Sequence, residues 1–236
     1  MQPTAALSLR FAIAETVVTV AGRSLELAHP VSVDDLLDED DYNRHQRLPY
    51  WGTLWPSARF LAARIADADG RGHRLLELGC GVGLVSLSAS LAGFDVLATD
   101  YYEDALEFVV ANAQHNGLSG ITTRCVDWRH YPADLVGFDL IVASDVLYER
   151  PNAALVAAAL AHSLASDGVA LVTDPGRHVA RPFADECRQR GLECECVDLE
   201  QVVDGQIDAI VELYEVSWQH FSRPPNAGKT PRGMVE

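Results

Sequence analysis

Lysine is all but missing from this 236-residue chain: Lys229 stands alone, and arginine supplies the other basic residues. A GC-biased genome accounts for that choice, and no function is drawn from it. Basic residues as a class are also scarce, 18 against 34 acidic, for a formal net charge of -16. Binding a phosphate backbone needs a basic footprint that displaces counterions, so DNA and RNA are excluded as expected partners. An acidic surface instead draws basic proteins or amines, and it also keeps a protein in solution. Cysteine is present five times (Cys80, Cys125, Cys187, Cys194, Cys196), an odd number without paired ligand spacing. Cys194 and Cys196, two apart on a strand, would point to opposite faces, so neither a disulfide framework nor a zinc site is implied. The histidines are scattered without metal spacing, and no metal is expected. No apolar run is long enough to span a bilayer, and the N-terminus lacks a basic segment followed by an apolar core and cleavage site. A reducing cytoplasm, away from membranes, is the expected setting.

The length suits one catalytic domain with a modest appendage. Phe11–Val20 and Leu25–Ala28 alternate apolar and polar residues around Ala21 and Gly22, which predicts a β-hairpin. After it, SVDDLLDEDDYNRHQ crowds carboxylates too tightly for a long helix and reads as a connector or substrate-facing loop. From Trp55 the pattern turns helical, with Pro56 tolerated in the first turn. Trp51 and Trp55, four apart, would share one face if that stretch is helical, and would form a packed lid.

Strands are predicted at Arg74–Leu78, Phe94–Thr99, Ile121–Val126, Phe138–Ala143 and Val169–Thr173. Helices start near Leu84, Asp104, Asn152 and Val179. This alternation specifies a doubly wound α/β fold with a parallel sheet. Leu192–Leu199 and Ile207–Trp218 follow without a helix between them and should pair as an antiparallel hairpin about Asp204 and Gly205. Residues after Phe221 have no apolar period and should not fold. The expected division is an extension at 1–48, a catalytic domain at 49–221 and a tail at 222–236.

The most specific segment is LLELGCGVG, Leu75–Gly83, with Asp100 seventeen residues on. Leu75 and Leu76 read as a buried strand, and Gly79, Gly81 and Gly83 let the backbone turn sharply near a ligand. The spacing is tighter than the G-x-G-x-x-G that seats a pyrophosphate. Glu77 would repel such an anion but suits a cofactor carrying an amino group and a sulfonium. The complete E-x-G-x-G-x-G resembles motif I of the S-adenosylmethionine methyltransferases. The resemblance implies a loop under the methionine end of the cofactor, with Cys80 inside it, and Asp100, followed by Tyr101, accepting from the ribose hydroxyls. An alternation closed by a hairpin also resembles the seven-stranded fold of that class, with its reversed last strand.

Ligands of open parallel sheets bind beyond the carboxyl ends of the strands. Those ends carry Glu77, Gly79 and Gly81, then Asp100, then Asp127 and Trp128, then Ser144, Asp145 and Tyr148. Asp127 can accept from an adenine amino group and Trp128 can lie against the ring, although a buried tryptophan also fits. Asp145 can hold an amine by a charge-assisted hydrogen bond and Tyr148 can wall the site; a turn cap and a packed phenol remain open for them.

D-x-x-Y at Asp145–Tyr148 together with YWGTLWPSARFLA resembles the protein lysine methyltransferases of methyltransferase family sixteen, over approximately Pro49 to Trp218. By motif position, that resemblance implies cofactor contacts at Trp55, Trp128 and Ser144. It implies an enzyme that moves a methyl group from S-adenosylmethionine to nitrogen, leaving S-adenosylhomocysteine, with a protein lysine side chain as acceptor. A small-molecule amine or heterocycle as acceptor, and a binding module that kept the fold, are the alternatives. Oligomeric state is not legible.

Overall fold

Apolar strands alternating with helices lead to a sheet covered on both faces. The computed structural model, which describes residues 6–33, 36, 49–204 and 207–219, shows that arrangement. A hairpin of β1 (Ile13–Val20) and β2 (Arg23–Pro30) comes first. It is followed by α1 (Pro56–Ala66), β3 (Arg74–Leu78), α2 (Leu84–Ala92), β4 (Asp95–Asp100), α3 (Glu103–His115), β5 (Ile121–Cys125) and β6 (Phe138–Ser144). Then come α4 (Asn152–Ser163), β7 (Leu164–Asp174), α5 (Phe183–Gln189), β8 (Leu192–Asp204) and β9 (Ile207–Trp218). The main sheet has the order β5-β4-β3-β6-β7-β9-β8. Strands β3 to β7 run parallel, and β9 enters antiparallel between β7 and β8. This is the Rossmann-like, mostly parallel seven-stranded sheet with a closing antiparallel hairpin that the sequence predicts.

The chain winds outward from β3 through β4 to β5, then returns to the other side of β3 as β6. Ligands of such sheets sit above this reversal, because the flanking loops diverge there and leave a crevice. One face packs α4 and α5 on Leu76, Ile141 and Val172; the other packs α1, α2 and the first hairpin on Leu75, Val142 and Leu171. The hairpin is thus tied into the core through Val18, Val20, Leu25 and Leu27. Asn112 of α3 fastens it further, donating to the carbonyls of Ala28 and Val82 at 3.0 and 2.9 Å and accepting from the Ala28 N–H at 2.8 Å.

Several boundaries differ from expectation, each for a local reason. β4 starts at Asp95 because the Phe94 N–H caps α2, donating to the Ala89 carbonyl at 3.1 Å. β7 starts at Leu164 rather than Val169, through an irregular stretch in which Phe138 pairs with Leu164 and Leu140 with Val169. α5 starts at Phe183 rather than near Val179, since Pro182 fits only the very beginning of a helix. β8 runs on to Asp204, because Gln201, Val202 and Val203 find partners in Ile210, Ala209 and Asp208. Trp51 and Trp55 do not share a helix face. Trp51 lies in a single 3-10 turn, Tyr50–Gly52, and packs with Phe11 and Phe108, while Trp55 caps α1 from extended backbone. The acidic connector falls mostly outside the described residues, as do the hairpin turn at Gly205 and the expected tail.

Candidate active site

Above the reversal, the ends of β3, β4, β5 and β6 close around a cleft with about 900 Å³ of empty space, counting its mouth. Its walls include Trp55, Glu77, Gly79, Cys80, Asp100, Tyr101, Trp128, Ser144, Asp145 and Tyr148. Ten of the thirteen residues singled out in the sequence therefore meet in one place. Gly81, Gly83 and Asp127 do not line it.

The glycine loop owes its course to two close approaches. Gly79 has φ of 73°, and a Cβ there would sit 2.8 Å from Val146 Cγ1; at Gly81, with φ of 51°, it would sit 2.8 Å from the Trp51 carbonyl oxygen. Any side chain at either position meets both backbone strain and a collision. The N–H groups of Gly79 and Cys80 both donate to the Thr99 carbonyl at 2.9 Å, which ties this loop to the end of β4. There the Asp100 carboxylate accepts from the N–H groups of Gly81 at 2.9 Å and Tyr102 at 3.0 Å. The carboxylate is thus held in place at the cleft wall. Asp127 caps the short turn after β5, and its carboxylate is engaged by Arg129 at 2.9 and 3.0 Å and His130 at 3.2 Å. Burial opposes ionisation of Asp127, yet these hydrogen bonds hold its carboxyl well below the usual carboxylate range.

Glu77 is fully buried and accepts a short hydrogen bond from the Ser86 hydroxyl of α2. Burial pushes its carboxyl up to about 8, the pull of Ser86 notwithstanding, and the neighbouring Asp100 adds to the rise. With no basic side chain acting on it among the described residues, Glu77 carries a proton at neutral pH, so its charge is available only to a cationic ligand that displaces that proton. The folded value lies above the ordinary one, so the native state binds more protons than the unfolded chain between about 4.5 and 8. The associated stability is present below that window and is lost as pH rises through it. Thermal melts of the ligand-free protein should therefore fall by several degrees between pH 5 and pH 8, and Glu77→Gln should flatten that decline.

Asp145 is a non-glycine residue with φ of 60°, in the left-handed region where most side chains are strained. The strain is imposed from both sides: its N–H donates to the Thr173 carbonyl at 2.9 Å, and Asn152 Nδ2 donates to the next carbonyl, Val146, at 2.7 Å. Its buried carboxylate pairs with Arg177, which also reaches Asp174 through its backbone N–H at 2.8 Å and Nη1 at 3.0 Å. Burial raises the Asp174 carboxyl, with Arg177 pulling the other way.

A second recess opens beside the cleft. Tyr50, Trp55, Asp145 and Tyr148 belong to both, and Arg177 lines the recess alone. Tyr50 stands edge-on to Trp55 at 5.9 Å and to Tyr148 at 5.5 Å, and Trp55 Nε1 donates to the Tyr50 carbonyl at 3.1 Å. Tyr50 heads the YWGTLWPSARFLA segment but was given no role from the sequence, and Arg177 was missed although it carries a signal: it follows the carboxyl end of β7, a parallel strand like those that supply the other site residues.

The donor set fits S-adenosylmethionine. A fixed carboxylate at Asp100 matches ribose hydroxyls, an aromatic wall at Trp128 matches a purine, and Gly79 presents bare backbone at the cleft wall. The carboxyl groups of Glu77, Asp100 and Asp145 match a ligand bearing positive charge.

A family model described as lysine methyltransferase matches residues 49–183. The protein N-lysine methyltransferase METTL21A of Danio rerio is 32% identical over 156 residues, covering 61% of this chain and 70% of that protein. The electron transfer flavoprotein beta subunit lysine methyltransferase of Xenopus laevis is 32% identical over 138 residues, covering 55% and 53%. Among solved structures, SMU.776 complexed with S-adenosylhomocysteine superposes with a TM-score of 0.61 at 11% identity, over 86% of this chain and 55% of that one. Trm5b from Pyrococcus abyssi gives 0.57 at 16%, over 87% and 57%. At these identities the structural likenesses speak for the fold alone.

Proposed function

The chain belongs to the lysine methyltransferase family, and on that premise we propose that it methylates a lysine side chain of a protein at the junction of the cleft and the recess. Membership meets the expectation of an S-adenosylmethionine-dependent methyltransferase with lysine as its acceptor class. The observation that carries the reading is the position of Asp145: buried, ion-paired to Arg177, and on the wall shared by both cavities. When bound, S-adenosylmethionine supplies an electrophilic methyl group on a sulfonium. Trp55, Gly79, Asp100, Tyr101, Trp128 and Ser144 would hold it in the cleft.

The remaining work belongs to side chains around the recess. An amine attacks only as the free base and must be aligned with the methyl carbon. Asp145 accepts a hydrogen bond from the amine and orients it. Tyr50, Trp55 and Tyr148 enclose the aliphatic stem of a lysine and keep water from the nitrogen, an arrangement that also suits an ammonium on arrival. Tyr148 is 37% exposed, so the recess is reached from the surface, as a side chain on a folded protein requires and a small metabolite does not.

Incubating the full-length protein with methyl-tritiated S-adenosylmethionine and a desalted extract of the source cells tests this. Label on a protein band, recovered as methyl-lysine after acid hydrolysis, is the expected result. Label confined to the metabolite fraction would instead assign a small amine as acceptor.

A further inference from the structure

Beyond the reaction itself, the closing hairpin has a face that the rest of the fold does not use. β9 pairs with β7 only as far as Asp174↔Glu212. The last five pairs of the hairpin, Glu200↔Val211 to Asp204↔Ile207, continue past the end of β7. At about 3.3 Å per residue this projects roughly 17 Å beyond the edge of the sheet where the active site lies. Strand alternation divides the projection into two faces. Val202 and Val211 turn to α1 and the core. Leu199, Val203 and Ile210 lie on the opposite face and are 60%, 67% and 62% exposed. Three large aliphatic residues grouped on one strand pair form a surface that ordinarily has a partner.

The face adjoins the acceptor recess. Glu212, the cross-strand partner of Leu199, lies against the Gly176 backbone, where a Cβ would be 3.5 Å from its Oε1. The next residue is Arg177, which pairs with Asp145. Charge selects the occupant. β8 and β9 together hold eight acidic and no basic residues. Arg64 of α1 answers Asp198, while Glu193, Glu195 and Glu200 stand exposed along β8, the outermost strand. A second copy of the chain would bring carboxylate against carboxylate, which disfavours edge-to-edge pairing.

We propose that this projecting hairpin is the docking surface for the methyl-accepting protein, which presents a basic segment with apolar anchors to Leu199, Val203 and Ile210 and delivers its lysine to the recess beside Asp145. The inference rests on the protein-lysine reading given above.

The triple variant Leu199→Ser/Val203→Ser/Ile210→Ser tests it, since all three side chains are exposed and their loss leaves the core intact. Initial rates of labelling by methyl-tritiated S-adenosylmethionine are read on the band that wild type labels in the desalted extract, across a dilution series. The expected result is a fall of tenfold or more at low extract concentration that narrows as the extract is concentrated, with calorimetric affinity for S-adenosylmethionine unchanged. Labelling at the wild-type rate overturns docking and leaves the methyltransferase reading standing. Loss of cofactor affinity in the triple variant also overturns it, by making the face a support of the site. Sedimentation showing a wild-type dimer and a monomeric triple variant would reassign the face to self-association. A wild type that labels no protein removes both readings together.

Discussion

Asp145→Asn lowers methyl transfer about 10²-fold or more, while S-adenosylmethionine binds within a few-fold of wild type. The substitution is chosen for the backbone: asparagine is among the few residues that accept the left-handed conformation recorded at Asp145, with φ of 60°. The loop shape and the N–H bond to Thr173 survive, and what is removed is charge. An amide accepts a weaker hydrogen bond from the amine and no longer pairs with Arg177, which is left to Asp174. The cofactor side of the cleft, built on Gly79 and Asp100, is untouched. Single-turnover rates with saturating cofactor, set beside calorimetric binding, separate the two effects. An equal loss in binding and turnover would sink the assignment of Asp145 to the acceptor.

The second large effect falls on binding. Asp100→Ala removes the carboxylate that holds the N–H groups of Gly81 and Tyr102 and that would take both ribose hydroxyls. Two hydrogen bonds to a charged acceptor are worth about 3 kcal/mol or more together, so affinity for S-adenosylmethionine should drop by about 10² or more. Asp100→Asn keeps the volume and one acceptor oxygen, and should fall between the two. Calorimetry on both variants checks this, with a melt to show that the fold persists. A near-normal affinity for Asp100→Ala would remove the ribose role.

Legibility in the sequence followed contiguity. Glu77, Gly79, Cys80, Asp100, Ser144, Asp145 and Tyr148 were readable because each stands at or just past the carboxyl end of its strand, and a sheet turns such ends into one rim. Gly81 and Gly83 belong to the same motif but serve the scaffold. A side chain at Gly81 would strike the Trp51 carbonyl, and one at Gly83 would press on Val109 and Leu87. No spacing rule separates those duties. The role of Tyr50 was hidden because its place depends on a 3-10 turn that sends Trp51 and Trp55 in different directions. The proton on Glu77 was illegible for another reason: the residue reads as a charge in sequence, and only burial shows that the charge is held back. Hairpin length was underestimated, because Gln201 to Val203 extend β8 only by virtue of partners in β9.

Pairing between β3 and β6 matches Leu75 with Leu140, Leu76 with Ile141 and Glu77 with Val142. Two residues past that last rung stand Gly79 on one strand end and Ser144 on the other, with Asp145 next. The gap between the wall that would cradle the methyl donor and the carboxylate that would meet the acceptor is therefore counted out in backbone rungs, like marks on a ruler. Connections elsewhere on the molecule can lengthen or change composition without altering that count. A one-residue slip of β6 against β3 would shift Asp145 by about 3.3 Å and invert the side chains along the strand, spoiling reach and core at once. Spacing for the reaction is thus inherited from the same ladder that makes the sheet fold, which leaves the periphery free to change acceptors.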